Sequence, residues 1–257
     1  MNKVKLEDFW HFLESTSSSE RHFLSERNLK FLDALYESSK SRVKIIPKGS
    51  VYYRARVNPA GVNTPYDKAE MKPIPNLQAE GRVNPFNLNV LYLANRPEVC
   101  VAESRPADDE SVTVATFEIL ADLRLVNLLQ DRPDGYWWCN QYSPDTDEDD
   151  ESFAWTELNG CFSKPVTSQD SRLNYIPTQI VSEYFKMQAY DGVVYQSQFD
   201  IKGVEQTVEN GLHENIAIFD LNVADAKSAQ TYIAKRREVD VSSLPGTDVD
   251  YAAPPLK

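Results

Sequence analysis

Four side chains with definite chemical capacities lie in four short segments of this sequence. Arg54 is in the alternating segment VYYRAR, Arg82 in GRVNPFN, Glu103 in PEVCVAES and Ser197 in DGVVYQSQ. A guanidinium can bind phosphate oxygens through two parallel hydrogen bonds. A fixed carboxylate stabilises positive charge that develops beside it in a transition state. These groups form a site only if the chain brings them together.

Taken one at a time, these residues have ordinary structural explanations. An arginine such as Arg54 is most often a surface or salt-bridged residue, and Glu103 is explained as a solvated carboxylate at a helix end. Ser197 alone carries almost no information. Tyr92 is equally well explained as a strand tyrosine packed in the core, and His213 as a surface or loop histidine. Only the combination of segments and their order points to a function.

Seven segments follow one another over residues 44–222: VYYRAR, GRVNP, LYLA, AES, YIPTQ, DGVVYQSQ and ENIAIF. Their order resembles the RES domain family, which takes its name from an arginine, a glutamate and a serine in that sequence. The resemblance implies an α+β fold of the ADP-ribosyltransferase-like kind. In that architecture a mixed β core with flanking helices surrounds a cleft for NAD.

The resemblance also implies which residues form the site. The catalytic residues it implies are Arg54, Glu103 and Tyr92, and the residues it implies for binding NAD are Arg54, Arg82, Ser197, Arg56 and Asn215. Tyr92 would stack on the nicotinamide or orient Glu103, and Ser197 would donate a hydrogen bond to a phosphate or to the ribose. No histidine lies near Ser197 in the sequence, so a role as covalent nucleophile is not expected. NAD is expected as the substrate, with no further cofactor and no metal.

The bond to be broken explains the need for a carboxylate. In NAD the ribose carbon C1′ bears a cationic nicotinamide, which leaves without protonation and builds positive charge on the ribose ring, as in glycoside hydrolysis. A carboxylate about 4 Å away, at an effective dielectric constant of about 20, stabilises that charge by roughly 4 kcal/mol, or about three decades in rate. Glu103 is the candidate, because a carboxylate at a helix C-terminus is not occupied as a helix cap.

Two departures from the family pattern lie on the phosphate side of the expected cleft. RES domains commonly have a second serine where this chain has Gln198. The glycine before the last asparagine-containing strand is displaced, and the segment reads GLHEN at 211–215.

Three functions remain open at this point. The first is an NAD-consuming enzyme, a glycohydrolase or phosphorylase, which in many members of the family is a growth-arresting toxin with a small antitoxin protein as partner. The second is an ADP-ribosyltransferase that modifies a macromolecule. The third is a catalytically inactive binding module.

The composition excludes several other classes of protein. The chain has 257 residues and a net charge of −12, so general binding to nucleic-acid phosphates is not expected. No apolar run approaches the roughly 20 residues that cross a bilayer. Three cysteines without metal-ligand spacing argue against a disulfide scaffold and against a zinc site. These features, and an N-terminus without a signal-peptide pattern, predict a cytoplasmic protein.

The hydrophobic pattern predicts three regions along the chain. Residues 1–43 are predicted to form a helical extension, with Leu6, Trp10 and Leu13 on its buried stripe. A serine cluster (Ser15, Ser17, Ser18 and Ser19) is predicted to end the first helix and to cap the second. Residues 44–230 are predicted to form the RES-like domain, interrupted by an irregular acidic insertion at about 131–172, and residues 231–257 a tail. Within the domain, Asn95 and Glu98 have capping-box spacing.

Overall fold

One mixed sheet of eight strands organises the structure, a computed structural model that describes residues 3–73, 80–86, 88–129, 147–164, 172–199 and 213–235. The strands are β1 (Val43–Ile46), β2 (Val51–Val57), β3 (Leu91–Ala94), β4 (Ser111–Ile119), β5 (Leu123–Asn127), β6 (Gly192–Gln196), β7 (Glu214–Ile218) and β8 (Ala224–Ile233). Their order in the sheet is β1-β5-β6-β7-β3-β2-β4-β8. The pair β5–β6 is parallel and the other pairs are antiparallel.

Five α-helices of the described ranges accompany the sheet. They are α1 (Leu6–Ser18), α2 (Glu26–Ser39), α3 (Pro97–Ser104), α4 (Asp147–Ser163) and α5 (Ile176–Met187). In the described part of the chain, no helix is both long and apolar enough to cross a bilayer. The predicted α+β class, with a mixed β core, flanking helices and two N-terminal helices, is confirmed.

The alternation of side chains along the strands divides the core into two main layers. On β3, β6 and β7, the face with Tyr92, Val193 and Ala217 packs against α1, α2, α4 and α5. The opposite face packs against inward side chains of β2, β4 and β8, including Phe117 and Ala226. The first helix pair is therefore part of the same apolar core as α4 and α5. A third, smaller cluster lies between α3 and strands β2 and β4.

The N-terminal helices are where predicted, but two details of the prediction are wrong. The buried apolar side chains of α1 are Phe9 and Phe12, whereas Trp10 is 48% exposed. The serine cluster does end the first helix, since α1 stops at Ser18 with Ser19 as its C-cap. The N-cap of α2, however, is Ser25, whose side chain accepts a hydrogen bond from the amide of Asn28 at 3.4 Å. Leu6 and Leu13 of the predicted stripe are partly buried against the core, and Phe9 and Phe12 take the place expected for Trp10.

The acidic segment was predicted to be irregular throughout, but part of it forms a helix. The 17 residues of α4 include much of it, and Trp155, Leu158 and Phe162 are buried on one side of this helix. The neighbouring Trp137 and Trp138 lie outside the described residues. At the C-terminal end, β8 continues to Ile233, past the predicted boundary at 230. The rest of the predicted tail, from residue 236, also lies outside the described residues.

Candidate active site

Helix α3 carries Glu103 in its last turn. Pro97 begins the helix with a backbone already suited to a first turn, and Arg105 ends it in a left-handed conformation (φ 48°). The predicted capping box is wrong: Arg96 is the N-cap and makes no side-chain cap. The side chain of Asn95 instead accepts a hydrogen bond from the amide of Glu214 at 3.1 Å. This contact fixes the start of α3 to the start of β7.

Strands β6 and β7 place two polar side chains on one face of the sheet. Tyr195 on β6 lies opposite Asn215 on β7. Side chains alternate along a strand, so Ser197, two residues after Tyr195, lies on the same face as Asn215. Ser197 and Asn215 are both buried. The amide of Ser197 donates to the carbonyl of His213 at 2.8 Å, which continues the β6–β7 pairing by one residue.

The Glu103 carboxylate is held by these two side chains through one of its oxygens. Oε1 accepts a hydrogen bond from Ser197 Oγ at 2.8 Å and another from Asn215 Nδ2 at 2.6 Å. In the described ranges, Oε2 has no hydrogen bond within the protein, and the side chain is only partly buried. Two donors thus orient the carboxylate and leave its second oxygen to a bound molecule. Glu103, Ser197 and Asn215 are brought together, as a common site requires.

Arg54 and Arg56, both predicted to bind NAD, form a pair of like charges on β2. Arg54 Nη1 donates to the carbonyl of Tyr92 at 3.1 Å, next to the single position where β2 and β3 pair. Burial lowers the pKa of Arg54, and the positive charge of Arg56 lowers it further. Among the described residues neither arginine forms an ion pair with a carboxylate. An anion that bound between the two arginines would offset both the burial of the Arg54 charge and its repulsion by Arg56.

Arg56 is also engaged with the loop that follows β2. Its Nη1 donates to the carbonyl of Glu70 at 2.9 Å, and its guanidinium lies 4.1 Å from the centre of the Tyr66 ring. These contacts fix the guanidinium over the loop. Arg54 and Arg56 share a strand face, as the alternation of VYYRAR predicts.

The Gly-Arg loop is fixed by Tyr92 rather than left open. The Tyr92 hydroxyl accepts a hydrogen bond from the amide of Val83 at 3.1 Å and donates to Asn84 Oδ1 at 2.7 Å. Gln179 Nε2 donates to the carbonyl of Gly81 at 2.9 Å. Burial raises the pKa of Tyr92, and the nearby charges of Arg82 and Arg54 oppose that rise. The hydroxyl therefore orients the loop, and the orientation of Glu103 comes from Ser197 and Asn215.

The guanidinium of Arg82 is directed at the end of α4. Nη1 donates to the carbonyls of Phe162 at 2.6 Å and Ser163 at 3.0 Å, and Nη2 donates to the carbonyl of Lys164. These are carbonyls that a helix C-terminus leaves without intrahelical partners. The charge of Arg82 opposes the rise in the pKa of buried Tyr195, which burial causes and which Tyr92 and Glu103 increase. In this structure its donors bind the protein, so its role as an NAD ligand stays a prediction.

Gly81 is the tightest point of this loop and gives a test of it. A Cβ at Gly81 would lie 2.7 Å from Tyr92 Oη and 2.8 Å from Asn84 Oδ1. Gly81→Ala is therefore expected to break the Tyr92–Asn84 hydrogen bond and to lower the free energy of unfolding by about 1–3 kcal/mol. The matched control is Gly160→Ala inside α4, where the nearest atom would be 3.8 Å away. That variant should gain about 0.5–1 kcal/mol. Denaturant unfolding measures both, and equal effects would contradict this description of the loop.

The remaining reactive side chains have structural surroundings. His213 lies just before β7, outside the regular elements, and is fully buried, so the expected loop position holds and the expected surface position does not. Its Nδ1 lies 3.3 Å from the carbonyl of Phe199. Burial raises the pKa of the Cys100 thiol to about 12 and of the Cys161 thiol to about 11, so neither is an activated nucleophile. Among the described residues no three His, Cys, Asp or Glu side chains are placed to hold a metal ion. Gln198, the departure from the serine pair, is exposed.

The sequence analysis assigned no role to three residues that shape the site. Gln179 was visible in YIPTQ and Asn84 in GRVNP, but a single sequence does not show that the two segments meet. Tyr195 stands opposite Asn215 on the same sheet face, which follows only from the strand register. In the sequence, the only indication that each of these residues matters was that it lies in one of the ordered segments.

The chain matches one family of known proteins. A family model described as "RES domain" matches residues 51–242, well over half of the chain. Among solved structures, the chain is similar to the crystal structure of the M. tuberculosis MbcT–MbcA toxin–antitoxin complex, at 14% sequence identity and a TM-score of 0.41. That match covers 78% of this chain and 92% of the other. None of the curated proteins compared with the chain matches it.

Proposed function

Because this chain belongs to the RES domain family, we propose that it cleaves the bond between nicotinamide and ribose in NAD. The observation that carries this proposal is the Glu103 carboxylate, whose Oε1 is fixed at 2.8 Å by Ser197 and at 2.6 Å by Asn215. A carboxylate oriented in this way, with its other oxygen available, suits a reaction that develops positive charge on a sugar.

In the proposed reaction Glu103 acts on the ribose. The nicotinamide leaves with its bonding electron pair, which neutralises its ring and places positive charge on C1′ and the ring oxygen of the ribose. The negative charge of Glu103 interacts more strongly with this transition state than with the substrate, so the contact accelerates the reaction rather than only tightening binding. The two hydrogen bonds on Oε1 keep the carboxylate in place, and no reorganisation is needed when the charge appears.

Arg54 and Arg56 supply the proposed binding site for the diphosphate. Two neighbouring guanidinium groups repel each other, and a diphosphate between them replaces that repulsion with attraction. Burial strengthens the attraction, because the local dielectric constant is lower than in water. Arginine is also suited to phosphate by its planar pair of donors.

Ser197 is expected to contribute through the carboxylate. Ser197→Ala removes one of the two donors to Glu103 Oε1, so the turnover number for NAD cleavage should fall about tenfold while KM changes little, since a loosely held carboxylate loses part of its effect. Steady-state kinetics measures both constants. The matched control is Ser111→Ala, another buried strand serine, whose hydroxyl donates to the carbonyl of Val62 at 2.6 Å. Equal losses in the two variants would contradict the assignment.

The proposed function is tested by incubating the purified protein with NAD and separating the products. Free nicotinamide with ADP-ribose indicates hydrolysis, and a phosphorylated ADP-ribose formed only with inorganic phosphate indicates phosphorolysis. Labelled NAD added with cell extract detects transfer of ADP-ribose to a macromolecule. If NAD remains intact in all three arms, where a known glycohydrolase consumes it, the proposal fails.

The biological role we propose is growth arrest through loss of NAD, with a small antitoxin protein as partner. Family membership is the support for this part of the proposal. Expression of the wild-type chain should lower cellular NAD and stop growth, whereas expression of Glu103→Gln should do neither. Growth arrest at unchanged NAD would refute it.

A further inference from the structure

Within the described residues, the end of β6 has a neighbouring strand on only one of its two sides. Peptide N–H groups alternate between the two neighbours of a strand. Because the amide of Ser197 donates toward β7, the amide of Gln196 points toward β5. The parallel pairing with β5 reaches only Val194, and in the described part of the chain no strand continues beyond it on that side.

On the side where no described strand follows, a side chain of α4 binds the end of β6. Asn159 Oδ1 accepts a hydrogen bond from the amide of Gln196 at 3.1 Å. The next residue along the chain is Ser197, whose hydroxyl holds Glu103 Oε1 at 2.8 Å. A short series of hydrogen bonds therefore leads from α4 through the end of β6 to the carboxylate.

Helix α4 is itself held at both ends. Arg82 binds the carbonyls at its C-terminus, one turn beyond Asn159. At its N-terminal half, Asp150 Oδ1 accepts from the amide of Leu6 at 3.2 Å, and Trp155 Nε1 donates to Ser38 Oγ at 2.9 Å. Because α1, α2 and the Gly-Arg loop all fix α4, Asn159 presents a well-placed acceptor to Gln196.

We propose that Asn159 is a positioning residue for Glu103. Its side-chain oxygen fixes the peptide of Gln196, which sets the place of Ser197 and through it the orientation of the carboxylate. This inference rests on the proposed function for its kinetic effect, and it assigns part of the site to a helix that sequence reasoning treated as an insertion.

The experiment compares Asn159→Ala with Asn159→Asp, which retains an acceptor oxygen. In Asn159→Ala the turnover number for NAD cleavage should fall about tenfold, the size of effect that residues orienting a reactive group produce, with KM within about twofold. Asn159→Asp should recover the turnover number to within about threefold of the wild type. The control is Thr16→Val, which removes a buried side-chain hydrogen bond of 2.6 Å inside α1, and it should leave the turnover number unchanged.

A second readout does not depend on activity. Hydrogen exchange at the amides of Gln196 and Ser197, followed by NMR without NAD, should be faster in Asn159→Ala and near the wild-type rate in Asn159→Asp. A fully active Asn159→Ala, or unchanged exchange at these amides, overturns the positioning role. If the wild-type protein does not cleave NAD, the proposed function fails separately, and the exchange rates alone judge whether Asn159 holds the end of β6.

Discussion

Glu103→Gln is expected to lower the turnover number for NAD cleavage by at least about two decades. Glutamine has the size of glutamate, and its amide oxygen can still accept from Ser197 and Asn215, so the local structure should persist. What is lost is the negative charge, which stabilises the developing ribose cation by roughly 4 kcal/mol at about 4 Å. The measurement is steady-state release of nicotinamide, with folding checked by thermal unfolding.

Glu98→Gln is the matched control for this prediction. Glu98 lies in the first turn of the same helix and is exposed. Its neutralisation changes the net charge of α3 by the same amount without touching Ser197 or Asn215. Turnover should stay within about twofold of the wild type, because exposed charges are screened by water and salt. If both variants lose activity equally, the specific role of Glu103 is refuted.

Arg54→Met is expected to lower kcat/KM for NAD by at least about two decades while leaving the protein stable. Methionine fills similar space without the charge. Because Arg54 is partly buried, repelled by Arg56 and without a carboxylate partner among the described residues, the substitution relieves a cost as well as removing one hydrogen bond to Tyr92. The free energy of unfolding should therefore change by no more than about 1 kcal/mol.

Arg124→Met provides the comparison for Arg54. Arg124 is an exposed strand arginine whose guanidinium lies 5.5 Å from the centre of the Tyr190 ring. It should keep full activity, so a loss confined to Arg54→Met isolates the effect of the paired charges. A large loss of stability in Arg54→Met with unchanged kcat/KM would mean that Arg54 serves the fold and not the substrate.

Local patterns in the sequence correctly predicted several features of the fold and the family. The alternation of VYYRAR correctly places Tyr52, Arg54 and Arg56 on one face because the period of a strand is two. The helix of Glu103 is bounded by Pro97 and Pro106, which restrict the backbone on both sides. The family predicted from the ordered segments is confirmed.

Helix α4 was missed although its signal was present. Trp155, Leu158 and Phe162 have the spacing of one helical face, and all three are buried. The run of acidic residues before them suggested a solvated loop, whereas acidic side chains are favourable in the first turn of a helix. The burial of these three apolar side chains stabilises a helix in spite of the acidic residues at its start.

The arrangement of the site could not be read from the sequence. Ser197 and Asn215 were expected to contact NAD. In the structure both side chains donate hydrogen bonds to Glu103 Oε1. Arg82 was expected at the diphosphate, and its guanidinium binds the end of α4. These contacts join residues about 80 to more than 100 positions apart, so they depend on strand register and helix packing, which no local pattern specifies.

Release of free nicotinamide from NAD by the purified protein, followed for the wild type and Glu103→Gln side by side, tests the central claim most directly. The wild type should release nicotinamide in step with the loss of NAD, and the variant should be slower by at least about two decades. Equal rates in the two proteins, or intact NAD with the folded wild type, would contradict the account.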